Sequence, residues 1–152
     1  MPHLDRTNAT EQVTSVLTLA PLEMQVLQHT TQAPAHVVLA FMIRPDANAA
    51  SRLLARYTTE VAKARTYVKT IQALHVGEIA VMYLSASMRR VYESALEIAN
   101  QIDTTTSVVR TIDLLQAIIQ EDDSSTDTLF NKLGVNKWDL YNDLKGHAAS
   151  DD

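Results

Sequence analysis

Between positions 87 and 100 the apolar residues Val91, Tyr92, Ala95, Ile98 and Ala99 return at steps of three and four, which predicts a helix with one buried face. Ser85 stands ahead of it, with a hydroxyl able to accept an orphan N–H of the first turn. Positions 104–107 are a polar break. Thr111 then caps a second helix, whose Ile112, Leu114, Leu115, Ile118 and Ile119 cover most of its circumference and predict an enclosed helix. Positions 121–125 read as a charged loop and 126–133 as a third, short helix. Gly134 falls where a helix C-terminus favours a left-handed residue. Asn136 caps a fourth helix that packs through Trp138, Leu140, Tyr141 and Leu144.

The preceding half of the chain carries the same four elements. Thr10 opens helix one, where Pro21 removes an N–H and clashes with the turn before it; the cost, about 3 kcal/mol, predicts a kink or a break. Positions 36–43 form the enclosed helix, Arg44, Pro45 and Asp46 end it, and 49–57 form the third. Thr58 replaces the glycine of the other half, and from 59 the pattern runs on as one helix to about 74. Gly77 and the apolar stretch 79–84 form a joint. Val16, Leu17 and Ala20 answer Val91, Tyr92 and Ala95 at an offset of 75. PAHVVLAFM from Pro34 answers TIDLLQAII from Thr111 at 77, and ASRLLARY from Ala50 answers TDTLFNKL from Thr126 at 76. Three blocks in order mark a tandem duplication. The expectation is a single all-α domain over 1–152: repeat one at about 10–68, a joint at 69–84, repeat two at about 85–144, and a polar tail at 145–152.

Composition narrows the chemistry. Of 152 residues 46% are hydrophobic and 20% charged, the balance of a soluble globular chain. The absence of cysteine excludes disulfides, thiolate metal sites and a cysteine nucleophile. A net charge of -5 with scattered basic residues argues against a nucleic-acid partner. No leader-like segment opens the chain and no apolar run approaches the roughly 20 residues of a membrane span, so no membrane partner is expected and the expected location is cytoplasmic.

His3, His29, His36, His75 and His147 include no i, i+4 pair joined to a carboxylate, so no metal site is expected. His36 is expected to pack or cap, and Asp113 to meet a helix N-terminus or solvent. Glu121, Asp122, Asp123 and Asp127 lack the alternation and central glycine of a calcium loop and read as a solvated run. Met24, Met42, Met82 and Met88 read as core filler. No Gly-x-Ser-x-Gly elbow and no phosphate loop occur; with three glycines in all, none is hidden. No catalytic residue and no cofactor are therefore expected, and no ATP binding by this chain.

The stretches TEQVTSVLTLA and SASMRRVYESALEIA, then APAHVVLAFM and RTIDLLQAII, then TLFNKLGVNKWDLYNDL, taken in order and in two copies, resemble the N-terminal domain of the Clp/Hsp100 AAA+ unfoldases. The resemblance runs from about 10 to 144. It implies a non-enzymatic docking module of the Clp ATP-dependent protease and chaperone system, which receives adaptors, substrates or Clp subunits and serves protein quality control and the regulation of proteolysis. Freestanding copies and N-terminal domains of whole unfoldases both occur in the family, and the pattern leaves both open.

In members that hold phosphorylated arginine, the opening threonine of helix one and the glutamate before the helix-two histidine grip the ligand. Here the first positions are Thr10 and Ser85, the candidate partner-binding residues, while the glutamate positions are Ala35 and Ile112. Neither of the latter can pair with a guanidinium. The docking face is thus expected to work through apolar or ordinary polar contacts. The alternative is a small all-α regulator that binds a small molecule or peptide between the repeats.

Overall fold

The computed structural model describes residues 4–5, 7–71, 83–102 and 108–146. His3, His75, His147, Met82, Gly77, the break at 104–107, and most of the joint and the tail lie outside them. The first half contributes α1 (Glu11–Val26), a short strand β1 (Thr31–Gln32), α2 (Pro34–Ile43), α3 (Ala49–Ala55) and α4 (Val61–Lys69). The second contributes β2 (Tyr83–Leu84), α5 (Ala86–Ile102), α6 (Thr111–Gln120), α7 (Ser124–Lys132) and α8 (Lys137–Lys145). The fold is all-α, a pseudo-twofold pair of four-helix units.

The two central helices are α2 and α6. Every residue of α2 from Pro34 to Met42, and of α6 from Thr111 to Ile119, is buried; apolar residues cover most of each circumference, and His36, Thr111, Asp113 and Gln116 are enclosed with them. Helix α1 packs on α2 and α5 on α6; α3 reaches across to α6 and α8, and α4 to α7. Val13, Val16 and Ala20 of α1, with Val91, Ala95 and Ala99 of α5, join the same core, as do Met24, Met42 and Met88. Leu115 is completely buried among them. Leu115→Ala is expected to cost about 2–5 kcal/mol, read as the shift of a denaturant midpoint; a loss under about 1 kcal/mol would contradict its place at the centre.

The duplication is expressed in backbone pairing. Gln32 pairs with Leu84 in the parallel β1–β2 ladder, and an isolated parallel bridge joins Ala9 to Val109. The sequence offset of 75 carries Ala9 onto Leu84, and the offset of 77 carries Gln32 onto Val109. Each half therefore lends the segment ahead of its first helix to the segment ahead of the other half's second helix. Thr10 N–H donates to Val109 O at 3.0 Å and Val109 N–H to Asn8 O at 2.8 Å. At the other seam Ser85 N–H donates to Gln32 O at 2.9 Å, the counterpart of the Thr10 bond, and Tyr83 N–H donates to Thr30 O at 2.8 Å.

Several boundaries depart from the pattern of the sequence. Helix α1 runs through Pro21 without a break. Ala20, Glu23 and Met24 on either side are buried against the core, and that packing outweighs a local cost of about 3 kcal/mol. Helix α4 stops at Lys69 instead of running to about 74. Thr70 closes it, its hydroxyl donating to Tyr67 O at 2.6 Å, while Ile71 N–H tightens onto Val68 O. Arg110, not Thr111, is the residue ahead of α6; Thr111 is buried in its first turn, with its hydroxyl oxygen 3.4 Å from the N–H of Ala50 in α3. Helix α3 is capped by Asn48, whose side chain accepts the Ser51 N–H at 2.8 Å. Trp138 does not enter the core: half of it is exposed, and it lies edge-on to Tyr141 beneath the Lys137 ammonium.

Three of the four carboxylates of the acidic run are engaged, while Asp122 is exposed to solvent as expected. Asp123 caps α7, accepting the N–H and hydroxyl of Thr126 at 2.9 and 2.6 Å and the hydroxyl of Ser87 at 3.0 Å. Glu121 pairs with Arg90 and Asp127 with Lys137, both at 2.6 Å.

Helices α1 and α7 end alike. His29 N–H reaches back to Met24 O and Gln28 N–H to Gln25 O; Val135 N–H and Gly134 N–H make the same pair of bonds to Phe130 O and Asn131 O. Both are Schellman closures with a left-handed residue at the turn, Gly134 at φ +73° and Gln28 at +59°. The left-handed region disfavours a side chain by about 1–2 kcal/mol, so Gln28→Gly is expected to stabilise the fold and Gly134→Ala to destabilise it by comparable amounts. No atom lies within 4 Å of a Cβ built at Gly134, so the second effect is purely one of backbone conformation. Thermal unfolding of both variants checks the opposite signs.

Candidate functional site

The half-buried candidates Thr10 and Ser85 occupy matching places at the starts of α1 and α5. The Thr10 hydroxyl accepts the Val13 N–H at 3.3 Å and the Ser85 hydroxyl accepts the Met88 N–H at 3.0 Å. Each is a helix cap, with its own N–H bound across the seam to the opposite half. The structure sets them at two different seams, Thr10 beside Val109 and Ser85 beside Gln32.

Ala35 and Ile112 lie just inside α2 and α6 and are 0% and 1% exposed. They belong to the core and offer nothing to a polar ligand. The polar chemistry at these two helix starts is carried by the next residue along. Asp113, 0% exposed, accepts the Arg110 N–H at 3.0 Å and holds the Arg110 guanidinium at 2.8 and 3.2 Å. His36 fills the equivalent place in α2, with Nδ1 accepting the Ala33 N–H at 3.0 Å. A neutral His36 then carries its proton on Nε2, which faces His29 Nδ1 at 2.8 Å. Burial, and next the neighbouring His29, pull the pKa of His36 down to about 3. Close by, the Tyr92 hydroxyl donates to Gln32 Oε1 at 3.0 Å and ties α5 to β1.

The Arg110–Asp113 spacing matches the first and fourth places of a capping box and is visible in the sequence. The Gln32–Tyr92 bond, 60 residues apart, has no sequence signal. The same holds for Glu23, buried on α1, which is clamped by Arg65 of α4 at 2.6 and 3.3 Å.

Two adjoining hollows lie along α1 and share Glu11 and Ser15. One, of about 420 Å³, borders Ala9 and Thr14 beside the Thr10 seam. The other, about 210 Å³, runs between α1 and the end of α2 over Val16, Leu19 and Ala40, with Arg44 at its edge. Leu22 and Val26 continue the exposed apolar surface toward the end of α1. An apolar floor between a carboxylate and a guanidinium suits a peptide better than a small polar substrate. Among the described residues no group of three histidines or carboxylates could hold a metal, and no helix is long and apolar enough to cross a membrane.

Residues 8–133 match the family described as the Clp repeat (R) N-terminal domain, and the chain belongs to that family. No curated protein matches the sequence. Among solved structures, the N-terminal domain of the caseinolytic protease associated chaperone ClpD from Arabidopsis thaliana shares 20% identity over 95% of this chain and 97% of its own, with a TM-score of 0.74. The Hsp104 N-terminal domain from Candida albicans shares 16% identity over 91% and 90%, with a TM-score of 0.70. Domains of this family are N-terminal, protein-interacting modules of Clp/Hsp100 chaperones.

Proposed function

We propose that this chain is a non-enzymatic docking module of a Clp ATP-dependent chaperone or protease, receiving an adaptor, a substrate or a Clp subunit on the α1 face beside Thr10 and at the related seam beside Ser85. The observation that carries the reading is the family match across both halves, from residue 8 to 133. The hollows along α1 support it with a surface of mixed polarity. The test is a pull-down from native lysate with the tagged chain, read by mass spectrometry. Enrichment of a Clp ATPase or protease subunit over a bead control is expected; failure to enrich any, with and without cross-linking, overturns the assignment.

Ligand choice separates this chain from relatives that grip phosphoarginine. With Ala35 and Ile112 buried and apolar, an arriving guanidinium forgoes two charge-assisted hydrogen bonds of about 1.5–3 kcal/mol each. That is roughly two to four orders of magnitude in affinity. Free phosphoarginine is expected to bind no more tightly than about millimolar in calorimetry. Saturable micromolar binding mapped to the starts of α1 and α5 would refute this.

A further inference from the structure

Between α4 and α7, at the junction of the two halves, lies an open cleft of about 450 Å³ lined by Lys63, Thr66, Tyr67, Thr70 and Lys132. Lys63, Thr66 and Tyr67 of α4 and Thr70 at its C-cap are spaced by three or four residues in the pairs 63/66, 63/67, 66/70 and 67/70, and so share one face. Lys132 crosses from α7 and sets its Nζ 5.5 Å from the centre of the Tyr67 ring. Thr66 donates its hydroxyl proton to Ala62 O at 2.9 Å and Thr70 donates to Tyr67 O at 2.6 Å. The donors left for a visitor are two ammonium groups and the Tyr67 phenol, set around an aromatic ring, with no carboxylate in the lining.

Neither Lys63 nor Lys132 takes part in an ion pair among the described residues; those pairs are Arg65–Glu23, Arg90–Glu121, Arg110–Asp113 and Lys137–Asp127. The charge of the stretch that carries α4 opposes that of the whole, although Arg44 lies at the α1 hollow and Arg65 is paired with Glu23. The chain carries -5, yet positions 44–69 hold Arg44, Arg52, Arg56, Lys63, Arg65 and Lys69 against Asp46 and Glu60 alone. A long polyanion would meet the net negative charge along its length, whereas a short acidic segment feels chiefly the field within a Debye length of about 8–10 Å.

We propose that the α4–α7 cleft is a docking site for an acidic peptide segment of a partner protein, its carboxylates on Lys63 and Lys132 and an apolar side chain on the Tyr67 ring. This deepens the docking function above and rests on it, naming the chemistry of a partner segment at a place apart from the two helix-one seams.

The probe is a fluorescein-labelled peptide of alternating glutamate and leucine, titrated against the full chain by anisotropy. Saturable binding is expected, weakened by salt and reduced roughly tenfold by Lys63→Gln with Lys132→Gln. Lys63→Arg with Lys132→Arg should retain it. Both lysines are exposed, and superimposable thermal melts confirm that the variants fold. The proposal is overturned if the wild type shows no saturable binding, if the glutamine variant binds equally, if a lysine–leucine peptide binds equally, or if a single-stranded oligonucleotide displaces the peptide. Capture of Clp subunits by a chain that ignores the acidic peptide would sink the cleft and leave the docking function standing. Lysine-dependent peptide binding by a chain that captures no Clp subunit would do the reverse.

Discussion

Asp113→Ala is expected to lower stability by about 3–5 kcal/mol, the usual penalty for breaking a buried ion pair from one side. The carboxylate is fully enclosed, and the Arg110 side chain it holds is 12% exposed. Removing it takes the Asp113 charge away from a guanidinium with little access to water and takes an acceptor from the Arg110 N–H at the start of α6. Asp113→Asn keeps an acceptor for that N–H but loses the charge, so it should fall between wild type and alanine. A double replacement, Arg110→Met with Asp113→Leu, should recover much of the loss, because two apolar groups carry no desolvation penalty. The remaining deficit includes the loss of the Asp113 acceptor for the backbone N–H, about 1–3 kcal/mol. Denaturant unfolding of all three variants checks the order. An alanine variant within about 1 kcal/mol of wild type would show that the pair contributes little.

The burial of His36, with His29 beside it, makes stability depend on pH. The unfolded chain takes up a proton at His36 near its ordinary pKa of 6.5, whereas the folded chain resists until about 3. The folded pKa is depressed, so the unfolded state binds more protons throughout the interval. Stability is fully present above about pH 6.5 and is lost as pH falls toward 3. At about 1.4 kcal/mol per unit, the loss from His36 is about 2 kcal/mol at pH 5 and about 5 kcal/mol at the lower end. His36→Gln can still accept the Ala33 N–H without titrating. It should flatten the slope between pH 6.5 and 5, a range above the ordinary carboxylate pKa values. An unchanged slope would assign the acid sensitivity to another group.

Features that depend on local periodicity are legible in the amino-acid sequence. The enclosed α2 and α6 follow from apolar residues over most of their circumference, the caps at Thr10, Ser85 and Asn136 from a hydroxyl or amide ahead of a helical run, and the turn at Gly134 from a glycine just past one. Tertiary packing decides the rest. Pro21 is tolerated because its neighbours are buried, a balance a local penalty cannot represent. Trp138 reads as a core residue by hydrophobicity, but α8 turns Leu140 and Leu144 inward and leaves the indole in solvent. The acidic run reads as solvated because its partners, Ser87, Arg90 and Lys137, lie on α5 and α8 rather than within reach along the chain. At the candidate site, capping chemistry marks Thr10 and Ser85 as helix starts, and only the family resemblance marks them as candidate binding residues. The cleft residues Lys63, Tyr67 and Lys132 come from different halves, and nothing in either stretch alone joins them.

The reciprocal pairing of the leading segments bears on how the chain matures. Asn8 to Thr10 leave the ribosome well before their partner Val109, which is synthesised about a hundred residues later. Until then the start of α1 has no bridge across the seam, and β1 has no neighbour until Tyr83 and Leu84 emerge. Closing so long a loop costs conformational entropy before its contacts can offset it. A nascent first half therefore carries unpaired strand edges, the template on which two growing chains can pair with each other instead of each with itself.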